Sequence, residues 1–157
     1  MTSRVVARSL RDVARGQRVQ ALLLARSQDL ICKNLMCEHV GSSCACKLSL
    51  VLERVPELRE MDLSGNQLRF LPVSTFALTQ LTTLNVAQNH LDVLSPEIAA
   101  LTNLETLDVS HNRLQELPVD VLSALPKLSQ LTVTGNPLAD DDVARLQALR
   151  RDIQIIE

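Results

Sequence analysis

Apolar positions recur along most of this chain in a fixed frame that contains one polar position. From Leu58 the frame runs Leu58, Met61, Leu63, Asn66, Leu68, Leu71. It returns as Leu81, Leu84, Val86, Asn89, Leu91, Leu94, then as Leu104, Leu107, Val109, Asn112, Leu114, Leu117, and finally as Leu128, Leu131, Val133, Asn136, Leu138. The asparagines stand 23, 23 and 24 residues apart. Four copies in register make an internal repeat of the form LxxLxLxxNxL. Alternation through Leu84-Asn85-Val86 is strand-like, whereas the apolar positions after Leu94 return at helical or irregular intervals. Each copy therefore predicts a short strand followed by a return segment.

One such unit cannot bury its apolar side alone, so neighbours stack, share a continuous core and line up their strands in a parallel sheet. The expected fold class is α/β, a curved solenoid with a short parallel sheet. The recurring asparagine follows from the same geometry. Where the chain leaves the strand, backbone groups turn inward, and each one left without a partner would cost about 1–3 kcal/mol. A carboxamide offers two donors and an acceptor. The asparagine column is thus expected to be structural.

In this frame, and in the Leu-Pro at Leu71-Pro72 and Leu117-Pro118, the chain resembles the intracellular leucine-rich-repeat family in its 23-residue class, from about Asp29 to the C-terminus. The stretch LPVDVLSALPKLSQLTVTGNPL and the opening residues look like those of a small vertebrate member. The resemblance implies a leucine-rich-repeat solenoid, closed at the C-terminus by a helix, with the chain complete there. It also implies that Asp between the strand leucines, as at Asp62 and Asp108, is common and can merely solvate the strand.

Both ends depart from the frame. In NPLADDDVARLQALRRDIQIIE, Asp140–Asp142 suit the start of a helix and Arg150 and Arg151 its end. This predicts a C-terminal cap over residues 139–157, after four repeats over 58–138. Arg4, Arg8, Arg11, Arg15 and Arg18 fall at intervals of four and three, which would put all five on one helical face, with Val6, Leu10, Val13 and Ala14 roughly opposite. Residues 1–28 carry six arginines against Asp12 alone, for +5, whereas residues 29–157 carry ten basic and seventeen acidic residues, for −7. The expectation is an amphipathic N-terminal capping helix over residues 1–28, its arginines solvated. A mitochondrial transit peptide and a helix for an acidic or lipid surface are the alternatives.

Residues 29–57 read as a degenerate first repeat, with Asp29, Leu30 and Leu35 laid on Asp62, Leu63 and Leu68, and Lys33 in the asparagine slot. Its return segment is about ten residues longer than the others by that alignment. All four cysteines, Cys32, Cys37, Cys44 and Cys46, lie here, with His39 among them. Their spacing lacks the C-x2-C knuckles of structural zinc sites, so no metal is expected. VQALLLA could pass for a weak secretory core. The later repeats and the C-terminal cap contain no cysteine, however, and there is no N-x-[ST] acceptor. Free thiols in a reducing compartment follow, with a cytoplasmic location or, as the alternative, a mitochondrial one.

At 157 residues and 46% hydrophobic the chain suits a single domain, and no apolar run reaches membrane-span length. Phe70 and Phe76 are its only aromatics, so stacking platforms for nucleic acid and the usual interface anchors are missing. With four glycines there is no phosphate-cradling loop, and His39, His90 and His111 belong to no recognisable catalytic motif. No catalytic residue, cofactor or small-molecule substrate is expected. What remains is the sheet face, concave in this architecture and adapted to a protein partner. The expected function is a non-catalytic protein–protein interaction module, an adaptor or a structural subunit of a larger assembly. Its contact residues would be Glu60, Asp62, Asn85, Gln88, Asp108, His111, Gln130 and Thr132. The alternative is a mitochondrial assembly subunit using Arg4, Arg8, Arg11, Arg15 and Arg18 on an acidic or RNA surface. Because strand-face side chains leave the core, reversing Asp62 or Asp108 should cost the fold no more than about 0.5 kcal/mol each.

Overall fold

A computed structural model describes residues 4–13, 18–33, 35–38, 41 and 44–157. Seven short strands lie parallel in chain order in one sheet: β1 (Val6–Ala7), β2 (Ala21–Leu23), β3 (Glu60–Asp62), β4 (Thr83–Asn85), β5 (Thr106–Asp108), β6 (Gln130–Thr132) and β7 (Gln154–Ile156). The return segments are α1 (Leu10–Val13), α2 (Cys46–Leu52), α3 (Val119–Ala124), α4 (Asp140–Leu149) and 3₁₀ turns at Gln28–Leu30, Val73–Ala77 and Pro96–Ala100. Local chemistry favours these short turns. Pro96 sits in the first turn with its φ preset, and the Ser95 hydroxyl accepts from Glu97 N at 3.2 Å.

The repeat frame is the packing register. Leu22, Met61, Leu84, Leu107, Leu131 and Ile155 stand side by side on successive strands, and all but Ile155 are fully buried. Leu58, Leu81, Leu104 and Leu128 make a second buried column, and Leu63, Val86, Val109 and Val133 a third. Phe76, Ile98, Leu122 and Leu146 close the core from the return side.

The asparagines do what the inward-turned backbone requires. Asn89 Oδ1 accepts from Asn66 N at 3.2 Å and Leu68 N at 2.9 Å, and its Nδ2 donates to Leu63 O, Val86 O and Ala87 O at 2.9–3.2 Å. Asn66 joins β2 to β3 in the same way, accepting from Ser27 N and donating to Leu24 O and Leu63 O. Asn112 accepts from Leu91 N, and Asn136 from Leu114 N.

At the C-terminus α4 opens on Asp140–Asp142 as expected, but the chain continues into β7, which pairs with β6 and extends the sheet. Arg150 does not lie in the last turn of α4. Its guanidinium reaches the preceding coil and donates to Ser123 O at 3.0 Å, Leu125 O at 2.8 Å and Leu128 O at 3.2 Å, while also pairing with Asp152 at 2.7 Å. It thereby fills acceptors left open where α3 ends. Arg150→Met is expected to lower stability by about 1.5–3 kcal/mol, the range for hydrogen bonds to a charged group. Arg150→Lys should restore only part, because an ammonium cannot span three carbonyls. Thermal denaturation of the two variants checks this, and an Arg150→Met protein as stable as its parent would refute the assignment.

The amphipathic helix expected over residues 1–28 is not what this stretch forms. Its described residues hold β1, the four-residue α1 and β2, with Val6 paired to Ala21 and Leu22 to Met61. The open edge of β3 carries unpaired backbone donors and acceptors, which an added strand satisfies and a helix laid against it does not. Nor do the arginines share a helical face. Arg4 pairs with Glu60, Arg18 lies 3.9 Å from Glu57, Arg8 and Arg11 are exposed, and Arg15 falls outside the described residues.

The first-repeat alignment is corrected too. Register places Leu24, not Leu30, beside Leu63, and Ser27, not Lys33, in the asparagine slot, where its N–H meets Asn66 Oδ1 at 2.8 Å. Leu35, laid on the buried Leu68, is 88% exposed. The sequence VQALLLARS is a copy of the frame, Val19, Leu22, Leu24 and Ser27, rather than a secretory core.

Candidate protein-interaction face

On each central strand the middle residue is buried and its two neighbours point to the other side. Strand pairing then fixes rows across the face. Glu60, Thr83, Thr106 and Gln130 form one row, and Asp62, Asn85, Asp108 and Thr132 the next, all half-buried. With strands about 4.8 Å apart, Asp62 and Asp108 stand roughly 10 Å from each other.

The second of these rows carries structural duties as well. Asp62 Oδ1 accepts from Ser64 N at 2.9 Å and Ser64 Oγ at 2.7 Å, and Asp108 Oδ1 does the same for Ser110 at 2.9 and 2.6 Å. Asn85 Oδ1 accepts from Ala87 N at 3.0 Å. Each holds an Asx turn at the strand exit. Reversal of Asp62 or Asp108 therefore removes a turn acceptor, and the small cost expected from position alone is too low. Glu60, at the N-terminal edge, is paired with Arg4, so one of the alternative-surface arginines folds onto the candidate face.

A third row borders the face, one residue before each asparagine slot. Arg26, Gly65, Gln88, His111 and Gly135 all have φ between 49° and 73°. A Cβ at Gly65 would lie 2.6 Å from Arg26 Cγ, and one at Gly135 would collide with the His111 ring. Glycine at these two positions accommodates both the left-handed backbone and the neighbouring side chain. Arg26 runs across Gly65 and donates to Gln88 Oε1 at 3.3 Å. Gln88 and His111 were legible as edge residues. Arg26 enters this row only in the register that sets Leu24, six residues before Leu30, on Leu63.

The structure also gathers Cys32, Cys37, Cys44 and Cys46, whose sulfurs all lie within 4.8 Å of one another. Burial, and then the Cys46 thiol, push the Cys44 thiol up to about 11. No helix among the described residues is long and apolar enough to cross a membrane.

The leucine rich repeat family model matches residues 56–100 and 79–138, together more than half of the chain. The chain belongs to the leucine-rich-repeat family. This leucine-rich-repeat chain is similar to a leucine-rich-repeat protein of Leptospira interrogans, with a TM-score of 0.64 and 28% identity over 74% of this chain and 28% of that one. It is also similar to an internalin of Listeria monocytogenes (TM-score 0.67, 20% identity, 96% of this chain and 38% of that one). For internalin C2 of the same organism the values are 0.62, 22%, 88% and 51%. The two internalins bear on the fold alone. The leucine-rich-repeat chain spans between about a quarter and a half of the length of these neighbours. No curated protein matches it. The leucine-rich-repeat fold commonly mediates protein–protein interaction, and its members are generally non-enzymatic binding modules.

Proposed function

We propose that this chain is a non-catalytic protein–protein interaction module, an adaptor or a structural subunit of a larger assembly, that holds its partner on the sheet face. The observation that supports this reading is the in-register row Asp62, Asn85, Asp108, Thr132, flanked by Glu60 and Gln130 and bordered by Gln88 and His111. Thr83, Thr106, Ala87 and Ser110 between them are small, so the row stays open to a partner surface. Its chemistry suits a partner segment rich in basic groups and hydrogen-bond donors, since Arg4 already answers Glu60 while Asp62 and Asp108 keep their charge on the face. With so few aromatic anchors, affinity should be moderate unless several surfaces engage together.

The test uses the lesson of Asn85, which holds its turn with an amide oxygen. Asp62→Asn with Asp108→Asn removes both charges and keeps both acceptors, so stability should change by no more than about 0.5 kcal/mol. Affinity for a co-purified partner should fall about tenfold, or about 1.4 kcal/mol, with a shallower salt dependence. Arg8→Gln with Arg11→Gln is the matched change at the other surface. Normal binding by the aspartate pair together with failure of the arginine pair would move the working surface to the N-terminal coil.

A further inference from the structure

Between β2 and β3 the chain spends 39 residues where the later coils spend 23 or 24, as the register Leu22 to Met61 shows. Among the described residues of this loop, Leu35 and Met36 are 88% and 92% exposed and bury almost no apolar surface there. Yet its chain is drawn to one point. Cys32 follows the 3₁₀ turn, Cys37 stands in the loop, Cys44 precedes α2, and Cys46 is the first residue of that helix. Three segments distant along the loop converge on their thiols.

We propose that Cys32, Cys37, Cys44 and Cys46 bind one zinc ion as a tetrahedral four-thiolate site that fixes this loop against the solenoid. Four sulfurs at about 2.3 Å from one zinc stand roughly 3.8 Å apart along each edge of the tetrahedron. Cys37 Sγ lies 3.6 Å from both Cys44 Sγ and Cys46 Sγ, and all four sulfurs fit within 4.8 Å. That space accepts a single ion and leaves no room for a polynuclear iron–sulfur cluster. Cys44 Sγ and Cys46 Sγ, at 2.7 Å, must separate by about 1 Å to become two corners of the same tetrahedron. Four soft sulfur donors in this arrangement select zinc among the common divalent ions. Binding releases the four thiol protons to solvent and leaves a site of charge −2.

The surroundings of a zinc–thiolate centre are present as well. Cys46 N–H donates to Cys44 Sγ at 3.3 Å, the kind of backbone bond that orients a thiolate ligand. Gly41 N donates to Cys32 O at 2.8 Å and Cys44 N to Leu30 O at 2.9 Å, so the two ends of the loop are already tied. Cys32 and Cys44 are buried and Cys46 is exposed, which gives the ion an inner anchor and a route in. Where apolar side chains such as Leu35 and Met36 stay exposed, a structural metal can supply free energy that burial does not.

The full chain, purified under reducing conditions without chelator, should contain one zinc per chain by metal analysis. Cobalt substitution should give the visible bands of a tetrahedral centre together with sulfur-to-cobalt charge transfer. Cys46→Ser removes the exposed ligand without disturbing the core, so zinc affinity should drop about 100-fold or more while the far-ultraviolet circular dichroism stays unchanged. Chelation of the parent protein should speed amide exchange in residues 31–46 and leave β4–β6 as before. Four alkylatable thiols and no zinc after refolding with excess metal would overturn the proposal. So would two disulfides by intact mass, one iron in place of zinc, or full affinity in Cys46→Ser.

Discussion

Asn89→Leu is expected to unfold at a clearly lower denaturant concentration than the parent, with a loss of about 2–6 kcal/mol. The figure follows from which groups lose their only partner. The carbonyls that Asn89 serves are shared: Leu63 O also accepts from Asn66, Val86 O from Asn112, and Ala87 O from Gly65 N. The amides of Asn66 and Leu68 have only Asn89 Oδ1 among the described residues. Two buried N–H groups left open cost about 1–3 kcal/mol each. The ladder predicts a gradient too, because Asn136 accepts from one amide and is only partly buried. Asn136→Leu should lose about half as much. Chemical denaturation of both variants checks the pair, and equal or negligible losses would dissolve the ladder argument.

Leu107→Ala should cost about 3–5 kcal/mol, toward the upper end for truncating a buried leucine. Leu107 is fully buried at the centre of β5, between Leu84 on β4 and Leu131 on β6, so neither neighbour can close over the cavity without bending the sheet. Its position matters as much as its burial. Each coil of a solenoid touches only the coils beside it, so weakening a middle coil loosens the coupling between the two halves. Equilibrium unfolding of Leu107→Ala should therefore show a lower midpoint and a shallower slope than the parent. A midpoint within experimental error of the parent would mean that this leucine column does not carry the core.

Much of this was legible because the frame from Leu58 to Leu138 is written in residue types with one interpretation each. Leucine at three spacings and asparagine at one leave little choice of register, and β3–β6, the buried columns and the in-register face all follow. The N-terminal coils were harder to read because Ser27 stands where the frame puts asparagine, and because the arginines at positions 4, 8, 11, 15 and 18 imitate a helical period. Spacing alone cannot tell a helical stripe from solvated residues distributed over short strands and turns. β7 was missed because Gln154-Ile155-Ile156 is too short to show alternation, and pairing with β6 is what makes it a strand. The face residues could be named from the frame, but the Asx turns at Asp62 and Asp108 depend on where Ser64 and Ser110 fold back, which pattern does not report. The cysteines read as free thiols because their spacing lacks C-x2-C pairs; that the loop brings all four sulfurs within 4.8 Å of one another is a matter of folding that spacing does not report.

The placement of function on the sheet face is tested most directly by carboxylate footprinting of the chain alone and in complex with the partner it co-purifies with. Asp62 and Asp108 should lose reactivity in the complex, while Asp120 and Asp141, exposed on the return side, keep theirs. Unchanged labelling at Asp62 and Asp108 with protection at Asp120 or Asp141 would contradict the assignment and place the partner on the opposite side of the solenoid.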